Sequence, residues 1–228
     1  MQANRSYCIV PDNFYPVRSF QKYVSEGVVC KYSRGDTIVL PGESIEKVIY
    51  VHSGKVSLYF LEEKKEKLMY YARRHCVINR LFAFEMAALS HIVAEEDSEV
   101  CFFSERQLFE IFKQDEEAHR EFLKNFTSKC GFFMNVSKEM DIYSPTSRVL
   151  RFIDELCTTQ GKLVNYGYEI DLKLTQKTIS EITGVHPVTV CKILGWLKEE
   201  GVLRKTSKKI LIYDLPKLKK LINHSINC

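Results

Sequence analysis

Apolar residues in the last third of the chain recur at two periods, and the change of period marks the elements. Val190, Ile193, Leu194 and Leu197 stand at i, i+3, i+4 and i+7, one stripe of a helix, and Ile179 and Ile182 share a face of a shorter helix before it. Thr175 is placed to cap that first helix and Gly184 to end it. His186 takes the cap position of the second and Pro187 its first turn, where a missing N–H costs nothing. From Leu203 to Tyr213 the pattern becomes strand-like, with apolar residues on both sides of Thr206-Ser207-Lys208-Lys209, as in a β-hairpin with a basic tip. Two helices joined by a glycine turn and followed by such a hairpin predict a winged helix-turn-helix; an ordinary helical hairpin in a globular core is the plainer alternative.

Upstream the period is different. From Lys31 to about Glu105, the runs YSRGDTIVLPGESIEKVIYVHSGKVSLYF, EKLMYYARRHCVI and SEVCFFSE are rich in β-branched and aromatic residues, with glycines at 35, 42 and 54 between them. Ser53-Gly54 is expected to be a hairpin turn, and antiparallel strands this closely spaced favour a small roll or barrel. Residues 1–30 read as irregular to helical, because Pro11 and Pro16 forbid a continuous helix. From Leu108 the period turns helical, and Leu123, Phe126, Cys130, Phe133, Ser137 and Met140 advance by 3, 4, 3, 4 and 3 residues, a coiled-coil seam. That seam pairs with the same helix of a second copy, or else Phe122, Phe126 and Phe133 pack on the chain's own roll. Asp141 to Pro145 interrupts it; Ser144 caps and Pro145 starts a further helix, whose stripe of Val149, Leu150, Ile153, Leu156 and Cys157 runs to Gly161. The expected architecture is α+β: a β-roll domain over 1–114, a long helix and hinge over 115–142, and a winged-helix domain over 143–228.

Composition narrows the class. With 228 residues, 45% hydrophobic and 27% charged, the chain is a soluble globular protein long enough for two cores. No apolar run approaches a membrane span and MQANRSYCIV lacks a signal peptide's features, so a cytoplasmic protein with no membrane partner is expected. Residues 1–140 hold 19 Lys and Arg against 20 Asp and Glu, whereas 141–228 hold 14 against 9, so the positive end is the one with the helix-turn-helix. Eight cysteines show no CxxC pair and no repeated ligand spacing, which speaks against a metal or iron–sulfur site and for reduced thiols in the core.

The recognition face of the second helix carries Val188, Thr189 and Lys192 near its start, where a helix entering a major groove meets bases and phosphates. Gln176, His186 and Pro187 complete the candidate DNA-binding set. Val188 and Thr189 suit thymine methyls, His186 a base edge or phosphate, and Lys192 either; an A·T-rich inverted repeat in double-stranded DNA is the expected target. Cys191, beside Lys192, is a candidate redox-sensitive thiol.

The spacing of Gly35, Gly42 and Gly54 within a run of strands, followed by a helix-turn-helix, resembles the Crp/Fnr family over nearly the whole chain. The resemblance implies an N-terminal cyclic-nucleotide-binding-like β-roll, a long dimerisation helix and a C-terminal winged helix-turn-helix. It also implies a homodimer whose two heads read a palindrome, and an activator that works with RNA polymerase. Most of the family presents Arg, Glu and a later Arg where this chain has Pro187, Val188 and Lys192, so guanine contacts are largely lost. Cyclic-nucleotide readers carry Gly-Glu and a later Arg-Ser/Thr-Ala; the matching RRHCVINRLFAFEMAALSHIVAEED has neither, so cyclic AMP is not expected. His75 and Cys76, adjacent on a strand, would point to opposite faces and could not share a haem iron, and only Cys8 precedes Cys30 where the oxygen-sensing branch has a cysteine cluster. No cofactor is expected.

Within the family the chain is most similar to the halorespiration-regulator (CprK) branch, in IVPDNFYPV, EKLMYYA, FFSE, ELCTTQGK and ITGVHPVTV. That resemblance implies a chlorinated phenol as effector and a pocket at Tyr70, Asn79, Arg80, Phe126 and Lys129. Lys129 or Arg80 would hold the phenolate by a charge-assisted hydrogen bond. Phe126 stands where the branch has tyrosine and Asn79-Arg80 where it has Gly-Lys, so a different member of the ligand class is expected. The leading expectation is an effector-gated DNA-binding transcription regulator, not an enzyme. A redox- or haem-dependent regulator, a thiol or haem enzyme using the roll as its pocket, and a constitutive DNA-binding protein are the alternatives.

Overall fold

Alternating apolar residues fold the first half of the chain into two four-stranded antiparallel sheets in the computed structural model, which describes residues 10–43, 45–62, 65–80, 90–171, 175–206 and 209–226. A 3₁₀ helix, Arg18–Glu26, is followed by β1 (Val28–Tyr32), β2 (Thr37–Val39), β3 (Val48–Ser53), β4 (Lys55–Glu62), β5 (Lys65–Arg73), β6 (Val77–Asn79), β7 (Ser90–Ala94) and β8 (Ser98–Phe103). One sheet has the order β1-β8-β3-β6 and the other β2-β7-β4-β5, so the strands form the expected roll. Helices α1 (Glu105–Gln114) and α2 (Glu116–Ile142) follow. The described residues divide into two compact units, one within 11–131 and one of Val10 with those from Phe132 onward, and the division falls within α2. Among the described residues no helix is long and apolar enough to cross a membrane.

Two local expectations need correction. Ser53-Gly54 is not a hairpin turn between paired strands: β3 pairs with β6 and β8 whereas β4 pairs with β5 and β7, so the chain crosses from one sheet to the other there. Glycine is required because the backbone has φ +81° and a Cβ would collide with the Ser98 hydroxyl and the Asp97 carbonyl. His75 and Cys76 do not lie on a strand. They sit in the turn between β5 and β6, where His75 takes a left-handed φ of 68° and its Nδ1 lies 2.7 Å from the Tyr50 hydroxyl. Strand alternation therefore does not set the directions of these two side chains, and that ground for disfavouring haem falls; Cys76 is buried on its own account.

The core of the roll is Val17, Phe20, Val48, Tyr50, Val77 and Phe103, closed by Leu108 and Ile111 of α1. Ser104 and Gln107 form a reciprocal capping box that starts α1 where strand alternation ends. Asp115 breaks the helix and restarts it: its carboxylate accepts from the Ala118 N–H at 3.0 Å and from Lys22 and Tyr23. These donors, the backbone N–H first, hold it below the usual carboxylate range.

The second unit adds α3 (Pro145–Gln160), β9 (Lys162–Val164), β10 (Gly167–Ile170), α4 (Gln176–Thr183), α5 (Pro187–Glu199), β11 (Leu203–Lys205), β12 (Ile210–Ile212) and α6 (Leu215–Ile226). Leu203 pairs with Ile212 and Lys205 with Ile210, which makes the expected wing. Its Lys209 is held by Glu169 at 2.7 Å, and Ser207-Lys208 lie outside the described residues. The sequence pattern leaves β9, β10 and α6 unassigned. β9 and β10 widen the wing into the sheet β11-β12-β10-β9, and α6 buries Leu218 and Ile222 in the same core as Leu150, Ile153 and Leu197.

Candidate functional site

A lysine on α2 anchors the candidate effector site. Asn125 and Lys129 are four residues apart and so share a helical face. The Asn125 Oδ1 accepts from the Lys129 ammonium at 2.8 Å, and the Val77 carbonyl of β6 accepts from it as well. The ammonium lies 5.2 Å from the ring centroid of Tyr70 and 5.7 Å from that of Phe14, and the two rings meet edge to face at 5.3 Å. Burial pulls the lysine below its ordinary pKa and pushes the Tyr70 phenol far up, so at neutral pH the tyrosine stays protonated. Beside them the Asn125 amide N–H reaches the Cys76 sulfur at 3.6 Å. The result is a cation with aromatic walls in an apolar interior, which suits a planar anion.

The five expected effector residues are not all brought together. Tyr70 and Lys129 meet, and Arg80 lies near enough for its charge to act on the Tyr70 phenol. Arg80 is buried at the end of β6, where its guanidinium donates to the Glu43 carbonyl at 2.9 Å and to the Ser90 hydroxyl. Asn79, half-buried, closes the β6 register against Val48. Phe126 is 54% exposed and stands with Leu123 and Phe133 on the exposed seam of α2. Phe122 is the seam's neighbour that does pack inward, against Phe20 and Phe112. Residues 81–89, which carry most of the absent cyclic-nucleotide cassette, lie outside the described residues. Sequence reasoning missed Phe14, Cys76 and Asn125 as members of the cluster. Only Asn125 carried a local signal, its i,i+4 relation to Lys129.

The candidate DNA-reading surface is assembled locally. The Thr175 hydroxyl accepts from the Thr178 N–H at 3.0 Å and starts α4, and Gly184 ends it in the left-handed conformation at φ +62°. The His186 Nδ1 accepts from the Val188 N–H at 3.3 Å and Pro187 fills the first turn of α5. Accepting at Nδ1 leaves the proton of a neutral ring on Nε2, a donor directed away from the helix end. Val190, Ile193, Leu194 and Leu197 are buried, while Gln176, His186, Pro187, Val188, Cys191 and Lys192 are exposed and Thr189 is half-exposed. Thus all six expected positions lie at the start of either helix with their surfaces available.

Beneath this surface, Arg151 of α3 and Glu139 at the end of α2 form a buried two-pronged ion pair, Nη2 to Oε1 at 2.7 Å and Nε to Oε2 at 2.9 Å. The guanidinium also lies 4.0 Å over the Tyr143 ring. Arg148 donates to the Gly184 carbonyl at 3.3 Å and to the Met140 sulfur at 3.1 Å, so the turn of the helix-turn-helix is fastened to the last turns of α2.

A β-roll, a long helix and a winged head define a DNA-binding regulator with an effector-binding domain. Residues 29–115 match the cyclic nucleotide-binding domain family and residues 147–221 the Crp-like helix-turn-helix domain family. The chain belongs to the Crp/Fnr family of transcription regulators, whose members are not enzymes. Among solved structures, CprK complexed with OCPA is 38% identical, with 92% of this chain and 99% of that one covered and a TM-score of 0.84. Oxidized CprK in complex with o-chlorophenolacetic acid is 39% identical, over 95% and 92% of the two chains, with a TM-score of 0.56. The global nitrogen regulator of Nostoc sp. (strain PCC 7120 / SAG 25.82 / UTEX 2576) is 27% identical over 190 residues, 82% of this chain and 85% of its own.

Proposed function

We propose that this regulator is a homodimeric, cytoplasmic transcription activator of the CprK type. In this reading a halogenated phenol held in the roll gates binding to an A·T-rich inverted repeat and the recruitment of RNA polymerase. The observation that carries the effector half is the Lys129 ammonium between the Phe14 and Tyr70 rings. Halogens lower a phenol's pKa, so the ligand arrives as a phenolate whose oxygen replaces a carbonyl as the lysine's acceptor, while its ring meets the aromatic walls. The similarity to CprK, one structure of which holds o-chlorophenolacetic acid, supports the ligand class.

The dimer half rests on the exposed seam. Leu123, Phe126 and Phe133 stay uncovered on one chain at heptad-like spacing, with Met134 beside them, and a second α2 would bury them. Operator choice rests on Val188 and Thr189, which offer methyl groups where a guanine reader needs donors. Calorimetric titration against a panel of halogenated phenols, o-chlorophenolacetic acid included, tests the effector: a binder is expected, and Lys129→Ala should abolish its binding. Full affinity in that variant would remove Lys129 from the site.

A further inference from the structure

The segment before Val17 crosses the outer edge of β5 and the Lys129 face of α2. The Tyr71 N–H of β5 donates to the Pro11 carbonyl at 2.7 Å, and Arg73 Nε donates to the Asp12 carboxylate at 2.9 Å. β5 is an edge strand of its sheet, so this pairing covers backbone groups that would otherwise face water. Next along the segment, the Phe14 ring meets Tyr70 and the Lys129 ammonium. The Tyr15 carbonyl then accepts from the Asn125 amide at 2.6 Å, the Tyr15 N–H donates to the Ser128 hydroxyl at 3.1 Å, and Lys124 lies 4.9 Å over the Tyr15 ring. The crossing ends at Val17, fully buried, whose N–H donates to the His75 carbonyl at 2.7 Å.

This is a strap buried at both ends, Val10 and Pro11 at one and Val17 at the other, and held between them by several polar contacts. Arg73 is half-exposed while the Asp12 carboxylate is largely buried, so solvent reaches the pair from one side only; one carbonyl on a sheet edge and two hydrogen bonds to α2 complete the fastening between the buried ends. Asn125 is shared: its Oδ1 holds Lys129 and its Nδ2 holds the strap, so the lysine's position and the strap's closure use one side chain.

Resting on the effector reading, we propose that Pro11–Tyr15 is the removable roof of the effector site, with Phe14 as the wall that selects the ligand's ring and Asp12–Arg73 as the latch. Lifting the strap opens a path to the Lys129 ammonium for a small planar aromatic anion, and closing it places the Phe14 ring edge against the guest. Removing that wall in Phe14→Ala should admit larger ligands.

The test needs no ligand. The full chain is labelled with acetic anhydride and the acetylation rate of each lysine is followed by mass spectrometry, for the wild type and for Asp12→Asn/Phe14→Ala. Loss of the roof should speed Lys129 by about tenfold or more, the ratio that ~1.4 kcal/mol of lost closure corresponds to, while exposed Lys22 and Lys31 keep their rates. An unchanged Lys129 would overturn the proposal. If every lysine speeds up, the double variant has lost its fold, and amide exchange in the wild type decides. Tyr71 N–H must then exchange faster than the core amide of Val51; protection equal to Val51's would show that the strap does not lift. Adding o-chlorophenolacetic acid to the wild type is the separate arm for the effector reading. Failure to slow Lys129 further would weaken that reading for this ligand and leave the strap result standing.

Discussion

The two candidate sites are built in opposite ways. In the reading head every functional side chain comes from the stretch between Gln176 and Lys192, and each is placed by a neighbour: Thr175 and His186 cap, Gly184 turns, Pro187 starts. The effector site draws Phe14 from before the roll, Tyr70 and Val77 from two of its strands, and Asn125 and Lys129 from α2. A local site tolerates distant change and fails one contact at a time. A site gathered from distant segments depends on the joints that hold those segments. The head also has joints of this second kind, and the Glu139–Arg151 pair among them offers the sharpest test of the contrast.

Removing one partner of a buried ion pair leaves the other charge in a low-dielectric interior, which typically costs about 3–5 kcal/mol. Arg151→Ala is therefore expected to lower the stability of the winged unit by that order, seen as an earlier transition in urea. Replacing both partners, in Glu139→Leu/Arg151→Met, should restore most of it, because the cost lies in the orphaned charge and not in the lost pair. If the single and double variants lose equal stability, the pair is not such a joint.

The effector site is next in size, and its signature is a pH profile. Lys129 has a lowered pKa because burial disfavours its charged form, so it loses its proton at a lower pH than an exposed lysine. Anion binding needs the ammonium; affinity should hold below that pKa and fall about tenfold per pH unit above it. On the acid side, affinity should fall again as the phenolate is protonated. Lys129→Arg, which keeps its charge, should retain whatever binding it has through the alkaline range. Identical alkaline limbs in the two proteins would mean that another group sets the fall.

The contrast also explains what is legible in the sequence. Heptad-like steps from Leu123 to Met140 and the stripe from Val190 to Leu197 are periodic, so α2 and α5 are readable from one segment each. The wing is readable from Leu203 and Ile212 on either side of a polar tip. Ser53-Gly54 looks like a hairpin because the turn chemistry is right, but which strands pair is decided by sheet partners far along the chain, Glu99 among them. His75 and Cys76 read as strand because nothing local announces a left-handed histidine. Phe14 gives no sign of being a wall because its partners Tyr70 and Lys129 are 56 and 115 positions away. β9 and β10 are too short to show a period, and β9 stays largely exposed, whereas Leu215, Leu218 and Ile222 of α6 do form a stripe, which packs against α3.

A smaller effect separates the caps from the readers they support. Thr175→Ala removes the acceptor for the Thr178 N–H and is expected to cost about 1 kcal/mol of stability. Operator affinity should fall only as far as α4 frays. A denaturant midpoint shifted by that amount, with an unchanged ratio of specific to non-specific DNA binding, is the expected pair of results. A changed ratio would mean that Thr175 itself touches DNA.

Smallest is the change expected at Lys192, and it distinguishes a phosphate contact from a base contact. Each neutralised phosphate contributes about 0.9 to the slope of log affinity against log salt on duplex DNA. If Lys192 meets the backbone, Lys192→Ala should shallow the slope by about that much per head, weakening all sequences alike. If it reads a base edge, the slope should stay close to its starting value while discrimination at one operator position relaxes. Val188→Ala supplies the control on the same helix face, since an uncharged reader of a thymine methyl should lower preference for A·T at its position and leave the salt slope untouched. A slope unchanged in both variants, with no loss of discrimination in either, would remove this face of α5 from the groove and leave the exposed row from His186 to Lys192 without a partner.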